Sequence, residues 1–176
     1  MLVLNLLDSY IGIYRQCQKK WLKMFKKVFM EDDFLNKKEC ETLINFYKSK
    51  PLPEGFHGTH PLVLDKNLNN KLLYKINNLS LNLNQSIIDW FQIVKWPASH
   101  PGKRLHFDRG HSDTILSSIL YLNSDFKGGH TYFEDGTSIA PKTGRIIFFD
   151  GNYYYHGVSA INNKDRYTLA AWYRKQ

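Results

Sequence analysis

The apolar positions change period along the chain and divide it into three stretches. Val3, Leu7, Tyr10, Tyr14, Cys17, Trp21 and Met24 recur at alternating spacings of four and three, the stripe of an amphipathic helix. Phe25 to Phe29 reads as a short strand, followed by the acidic turn Glu31-Asp32-Asp33. Asn36, with Glu39 three residues on, is a capping-box start. The stripe Cys40, Leu43, Ile44 and Tyr47 continues that helix until Pro51 stops it. Residues 51–70 hold Pro, Gly and His without sustained period, which predicts a loop with at most one strand, placed as a lid. Leu68, Leu72, Ile76 and Leu79 predict a second helix.

From Trp90 the pattern turns β-like. Strands are predicted over Trp90–Trp96, Arg104–Asp108, Thr114–Leu122, His130–Phe133, Arg145–Phe149 and Thr168–Tyr173, with Gly, Asn and Asp turns between them. Short strands at such spacing predict a mainly β (α+β) fold: a jelly roll, or double-stranded β-helix, with N-terminal supporting helices. The expected organisation is an extension over residues 1–23 and one domain over 24–176, its jelly-roll core starting at about residue 90.

Composition narrows the classes. A chain of 176 residues with 43% hydrophobic and 15% aromatic side chains has enough apolar surface for a core, which excludes intrinsic disorder. Cys17 and Cys40 make no disulfide framework and no Cys-x-x-Cys pair, so a reducing, cytoplasmic setting is expected. No apolar run reaches the ~20 residues of a membrane span, and the N-terminus lacks the basic region of a secretory leader.

The net charge of +8 suggests nucleic acid until its distribution is read. Arg15, Lys19, Lys20, Lys23, Lys26 and Lys27 face one acid, Asp8, within the first thirty residues. The rest of the chain is only mildly basic, so a nucleic-acid partner is not expected. The N-terminal stripe leaves three readings open: packing on its own domain, contact with a partner or membrane surface, or an extension upstream of a start at Met24.

Candidate chemistry starts at His106-Phe107-Asp108. In a strand, positions i and i+2 share a face, so an imidazole and a carboxylate would converge. One further His completes a 2-His-1-carboxylate set, which leaves open positions on Fe(II). His156 lies after the apolar run 145–150 and a Gly-Asn turn. Arg166 follows, and a buried guanidinium needs an anion, for which its planar fork suits a carboxylate. His57 and His60 have no third ligand beside them, His111 and Asp113 are expected to be solvated, and no Gly-x-Ser-x-Gly is present.

The stretch from Trp96 to Tyr173 resembles the Fe(II)/2-oxoglutarate-dependent dioxygenases, and within them the prolyl 4-hydroxylase-like branch. The resemblance is carried by His106-Phe-Asp108, Tyr121-Leu-Asn123, Gly128-Gly129 with Phe133, Pro141 to Phe149, His156-Gly-Val, and Arg166-Tyr with Trp172-Tyr173, in the family's order. It implies that His106, Asp108 and His156 hold Fe(II), and that Arg166 and Tyr121 bind the distal carboxylate of 2-oxoglutarate. Ser117 and Thr168 would add hydroxyls there. Trp172, Trp96 and Arg109 would lie on the substrate side.

Implied with these are O2, ascorbate as reductant, decarboxylation of 2-oxoglutarate to succinate and CO2, and hydroxylation of a prolyl residue in a peptide or protein. The alternatives are the same chemistry on a free amino acid, metabolite or nucleic-acid base, or a catalytically silent jelly roll used for binding. Trp96 stands where many relatives carry Tyr. Trp172 stands where the nucleic-acid-demethylating branch carries a further Arg, which argues against that branch.

Overall fold

A computed structural model describes residues 28–50, 59–61, 70–71, 74, 86–108 and 114–175. The stripe over residues 3–24, most of the segment expected as a lid, and Arg109, His111 and Asp113 lie outside the described residues. So does nearly all of the second predicted helix; its described positions 70, 71 and 74 are helical. Among the described residues no helix is long and apolar enough to cross a membrane.

Six strands form the larger sheet, in the order β1 (Phe29–Glu31), β9 (Ile146–Phe149), β5 (Thr114–Tyr121), β12 (Arg166–Lys175), β3 (Ser86–Trp96) and β2 (Thr59–Pro61). A second sheet has the order β4 (Lys103–His106), β10 (His156–Val158), β7 (Thr131–Phe133) and β8 (Ser138–Ile139). A short ribbon pairs β6 (Lys127–Gly128) with β11 (Ile161–Asn162). Every pairing is antiparallel, as a jelly roll requires.

The helix α1 (Lys37–Lys48) backs the larger sheet. Its start follows from local chemistry. The Asn36 side chain accepts from Glu39 N at 2.9 Å, and Asn36 N donates to Glu39 Oε2 at 2.7 Å. Cys40 and Tyr47, one face of the helix, join Leu116, Leu120, Ile146, Phe148, Leu169 and Tyr173 in the core behind the sheet. On the sheet's other face, Tyr121, Ile147 and Phe149 meet Phe133 of the second sheet and Tyr154 of the turn before β10 (His156–Val158). Strand β9 is thus buried on both faces, which is why Ile146 to Phe149 is continuously apolar.

Several boundaries differ from the sequence reading. The first described strand covers Phe29–Glu31, so Glu31 belongs to it and the acidic turn begins at Asp32. Asp32 then ties this segment to the β9 approach, accepting from Arg145 Nε at 2.6 Å and Lys142 Nζ at 3.0 Å. β12 extends from Arg166 to Lys175 because it pairs along its length with β3 and, over much of it, with β5. β4 ends at His106, so Phe107 and Asp108 are not strand residues. The strand-period argument for His106 and Asp108 therefore fails.

Candidate active site

His106 closes β4, and His156 opens β10 directly opposite it in the antiparallel register. Their rings lie 4.4 Å apart, centroid to centroid. Asp108 reaches them by another route: its backbone N donates to the carbonyl of Gly151 at 2.8 Å, pinning the chain just past β4. Phe107 turns onto Tyr155, with ring centroids 3.6 Å apart. A side chain at 151 would intrude on this arrangement, since a Cβ there would stand 2.7 Å from Asp108 Oδ2.

The result is two nitrogens and one oxygen around a common point. Asp108 Oδ1 is 3.7 Å from His106 Nε2 and 3.5 Å from His156 Nε2. One ligand atom from each residue falls within 4.8 Å of the others. The tautomers suit ligation. Nδ1 of His106 faces the Arg104 carbonyl at 3.0 Å, and Nδ1 of His156 faces the Tyr154 carbonyl at 3.2 Å. Carbonyls only accept, so each Nδ1 carries the proton and each Nε2 offers its lone pair.

Electrostatics point the same way. Burial, then the neighbouring His156, pushes His106 down to about 4, so its ring is neutral near pH 7. Burial opposes ionisation of Asp108, but the polar side chains around it, His156 foremost, outweigh burial and hold the carboxyl below its usual range. Ser117 also lowers Asp108. Ser117 Oγ is buried beside this carboxyl without a hydrogen bond of good geometry. The hydroxyl expected beside Arg166 thus lies beside Asp108 instead, because four residues of extended β5 separate it from Tyr121.

Arg166 occupies the other end. It is 1% exposed and its Nε donates to the Gly129 carbonyl at 3.0 Å. Nη1 makes a long 3.5 Å contact with Thr168 Oγ1, the Tyr121 hydroxyl favours the charged guanidinium, and Nη2 has no hydrogen-bond partner among the described residues. The guanidinium carbon lies 5.3 Å from the ring centre of Tyr121 and 6.0 Å from that of Trp96. The Tyr121 hydroxyl donates to Thr131 Oγ1 at 2.7 Å. A buried cation without a carboxylate partner is costly, and this one has an unused donor.

One cavity of about 110 Å³ joins the two ends. His106, Asp108, His156, Arg166, Thr168 and Trp172 line it. Trp96, expected on the substrate side, lines it too, as a buried wall against Arg166 and His100 at the Arg166 end. Gly129, whose carbonyl holds Arg166, is a site residue that the sequence signals only through the double glycine Gly128-Gly129. A wider cleft of about 1000 Å³, lined by Lys37, Ile44, Lys48, Asp125 and Tyr167 among others, shares no lining residue with the cavity between the triad and Arg166.

The donor set and the orphaned cation fit a metal and a dicarboxylate together. Two imidazoles and one carboxylate suit Fe(II) and leave positions for exogenous ligands. The Arg166 fork suits a carboxylate.

Comparison with known proteins agrees with this geometry. Residues 91–174 match the 2OG-Fe(II) oxygenase superfamily. Prolyl 3-hydroxylase 2 of Gallus gallus is 38% identical over 64 residues, covering 32% of this chain and 9% of that protein. The chain thus spans under a tenth of the curated relatives it matches. In structure, a viral collagen prolyl hydroxylase from Paramecium Bursaria Chlorella virus-1, solved as its 2OG complex, superposes with a TM-score of 0.71 at 20% identity. The superposition covers 86% of this chain and 97% of that one. A prolyl hydroxylase of Trichoplax adhaerens, in complex with a hypoxia inducible factor peptide fragment, gives 0.71 at 18% identity and covers 91% and 92%. These likenesses show the fold.

Proposed function

We propose that this chain, a member of the 2OG-Fe(II) oxygenase superfamily through residues 91–174, is a 2-oxoglutarate-dependent dioxygenase that hydroxylates a prolyl residue in a peptide or protein. The observation that carries the oxygenase reading is the buried Arg166, with its unused Nη2, lining the same cavity as the His106-Asp108-His156 cluster. A ligand with a carboxylate at one end and metal-chelating oxygens at the other satisfies both. The prolyl part is supported by the prolyl hydroxylases among its relatives in sequence and structure.

In this reading Nε2 of His106, Nε2 of His156 and the Asp108 carboxylate hold Fe(II). Arg166 holds the distal carboxylate of 2-oxoglutarate, with Tyr121 and Thr168 beside it. The chemistry that the bound pair supplies is oxidation by O2, one oxygen atom leaving in succinate and one in the hydroxylated product, with release of CO2. The protein's part is positional. The two Nδ1–H···O=C contacts fix the imidazoles, the Gly151 carbonyl holds Asp108 in place, and the apolar wall of Val94, Trp96 and Ala170 keeps water from the cosubstrate. Trp172 borders the same cavity where substrate would meet the metal. Ascorbate as reductant belongs to this proposal. So does a cytoplasmic setting, which rests on cysteine usage.

Succinate formation from 2-oxoglutarate tests it, measured with Fe(II) and air, with and without proline-rich peptides, followed by hydrolysis and assay of 3- and 4-hydroxyproline. Peptide-stimulated succinate together with either hydroxyproline is the expected result. Succinate without peptide stimulation would move the substrate to a small molecule or a base, and no turnover with no retained metal would leave a binding module.

A further inference from the structure

We propose that Lys103 selects substrates bearing a carboxylate close to the carbon that is oxidised; the inference rests on the oxygenase reading above. Lys103 is an exposed residue of β4 that lines the same cavity as the triad and Arg166. Its ammonium forms no ion pair within 4.0 Å among the described residues. The carboxylate whose charge it feels is that of Asp108, and it in turn helps to keep His106 neutral. Partial desolvation lowers its own pKa, and the Asp108 carboxylate opposes that shift.

The charges of the loaded site show what is left over. A divalent metal with Asp108 leaves one positive charge, and Arg166 adds another. The two carboxylates of 2-oxoglutarate cancel both. Lys103 is then a positive charge without a counterpart in a partly desolvated pocket, where a like charge is repelled and a carboxylate is attracted more strongly than at an open surface. Asp108 cannot serve as that counterpart while it is committed to the metal. Gln92 and Trp172, which share the lining, add an amide and an aromatic face but no charge. The carboxylate has two possible sources: an acidic side chain flanking the target residue of a peptide, or the α-carboxylate of a free amino acid.

Fluorescence anisotropy separates these cases, using the full chain loaded with Mn(II) and 2-oxoglutarate. The probes are a labelled prolyl peptide with Glu beside the target proline and its Gln counterpart, with unlabelled proline and prolinamide as competitors. Succinate formation with Fe(II) is followed in parallel. For the peptide source, the Glu peptide binds at least about fivefold tighter than the Gln peptide, a preference that added salt weakens. Lys103→Met abolishes that preference and Lys103→Glu inverts it. For the free amino acid, proline competes, prolinamide does not, and the difference again needs Lys103.

Equal binding within both pairs overturns the inference. So does a Lys103→Met variant that keeps the preference, or one that raises only the 2-oxoglutarate requirement, which would assign the ammonium to the cosubstrate. Turnover of both peptides at equal rates sinks this inference and leaves the prolyl reading standing. Turnover of free proline alone, dependent on Lys103, does the reverse.

Discussion

Arg166 reaches its cavity across Gly129: its Nε donates to the Gly129 carbonyl at 3.0 Å, and a Cβ at 129 would lie 2.9 Å from Arg166 Cδ. The same Cβ would stand 2.6 Å from the Phe126 ring, and the glycine φ is +64°. A side chain here is excluded twice, by backbone conformation and by space. Gly129→Ala is therefore expected to displace the guanidinium and raise the KM for 2-oxoglutarate at least about tenfold. Metal retention should be nearly unchanged, because the triad is held by other elements. A Gly129→Ala enzyme with an ordinary 2-oxoglutarate KM would show that the guanidinium does not depend on this contact.

Removing the cation itself tests the clamp directly. Arg166→Ala loses a charge-assisted interaction of about 1.5–3 kcal/mol, so the 2-oxoglutarate requirement should rise at least about tenfold. Arg166→Lys, which keeps the charge without the fork, should fall between the two. An unchanged requirement in Arg166→Ala would remove the residue from cosubstrate binding.

The triad predicts a metal phenotype that is separate from turnover. His106→Ala should fail to retain Fe(II) through gel filtration and form no succinate, whereas His130→Ala, outside the cluster, should retain both. Retention of stoichiometric metal by His106→Ala would mean that the ion sits elsewhere.

Asp150 gives a prediction about pH and stability. Burial pushes its carboxyl up from 3.8 to about 6, although the N–H groups of Asn152 and Tyr153 pull the other way. Because the folded-state pKa is raised, the folded state binds the extra proton between those two values. Stability from this group is undiminished below about pH 4, falls as pH rises to about 6, and stays reduced above that. Asp150→Asn keeps an acceptor for both N–H groups and removes the charge. It should be more stable than the parent at pH 7.5 by at least about 1 kcal/mol, with the difference vanishing near pH 4. Denaturant unfolding at the two pH values checks this, and a variant less stable at pH 7.5 would contradict it.

What the sequence by itself determined was local or periodic. The Asn36–Glu39 capping box, the buried stripe through Cys40 and Tyr47, and the β-rich half of the chain follow from spacings within a few residues. The identities of His106, Asp108, His156 and Arg166 stood out through residue chemistry in a recognisable order. Tertiary structure alone decided how they meet. Asp108 joins the histidines because its N–H is held by the Gly151 carbonyl, a contact between residues far apart in sequence that no strand period encodes. Ser117 lies beside Asp108 and not beside Arg166, Trp96 is a wall behind Arg166, and the Gly129 carbonyl holds the Arg166 side chain. The physical reason is common to all of these. Periodicity fixes which face a side chain takes, but the distance between two faces is set only when antiparallel sheets pair in register and pack.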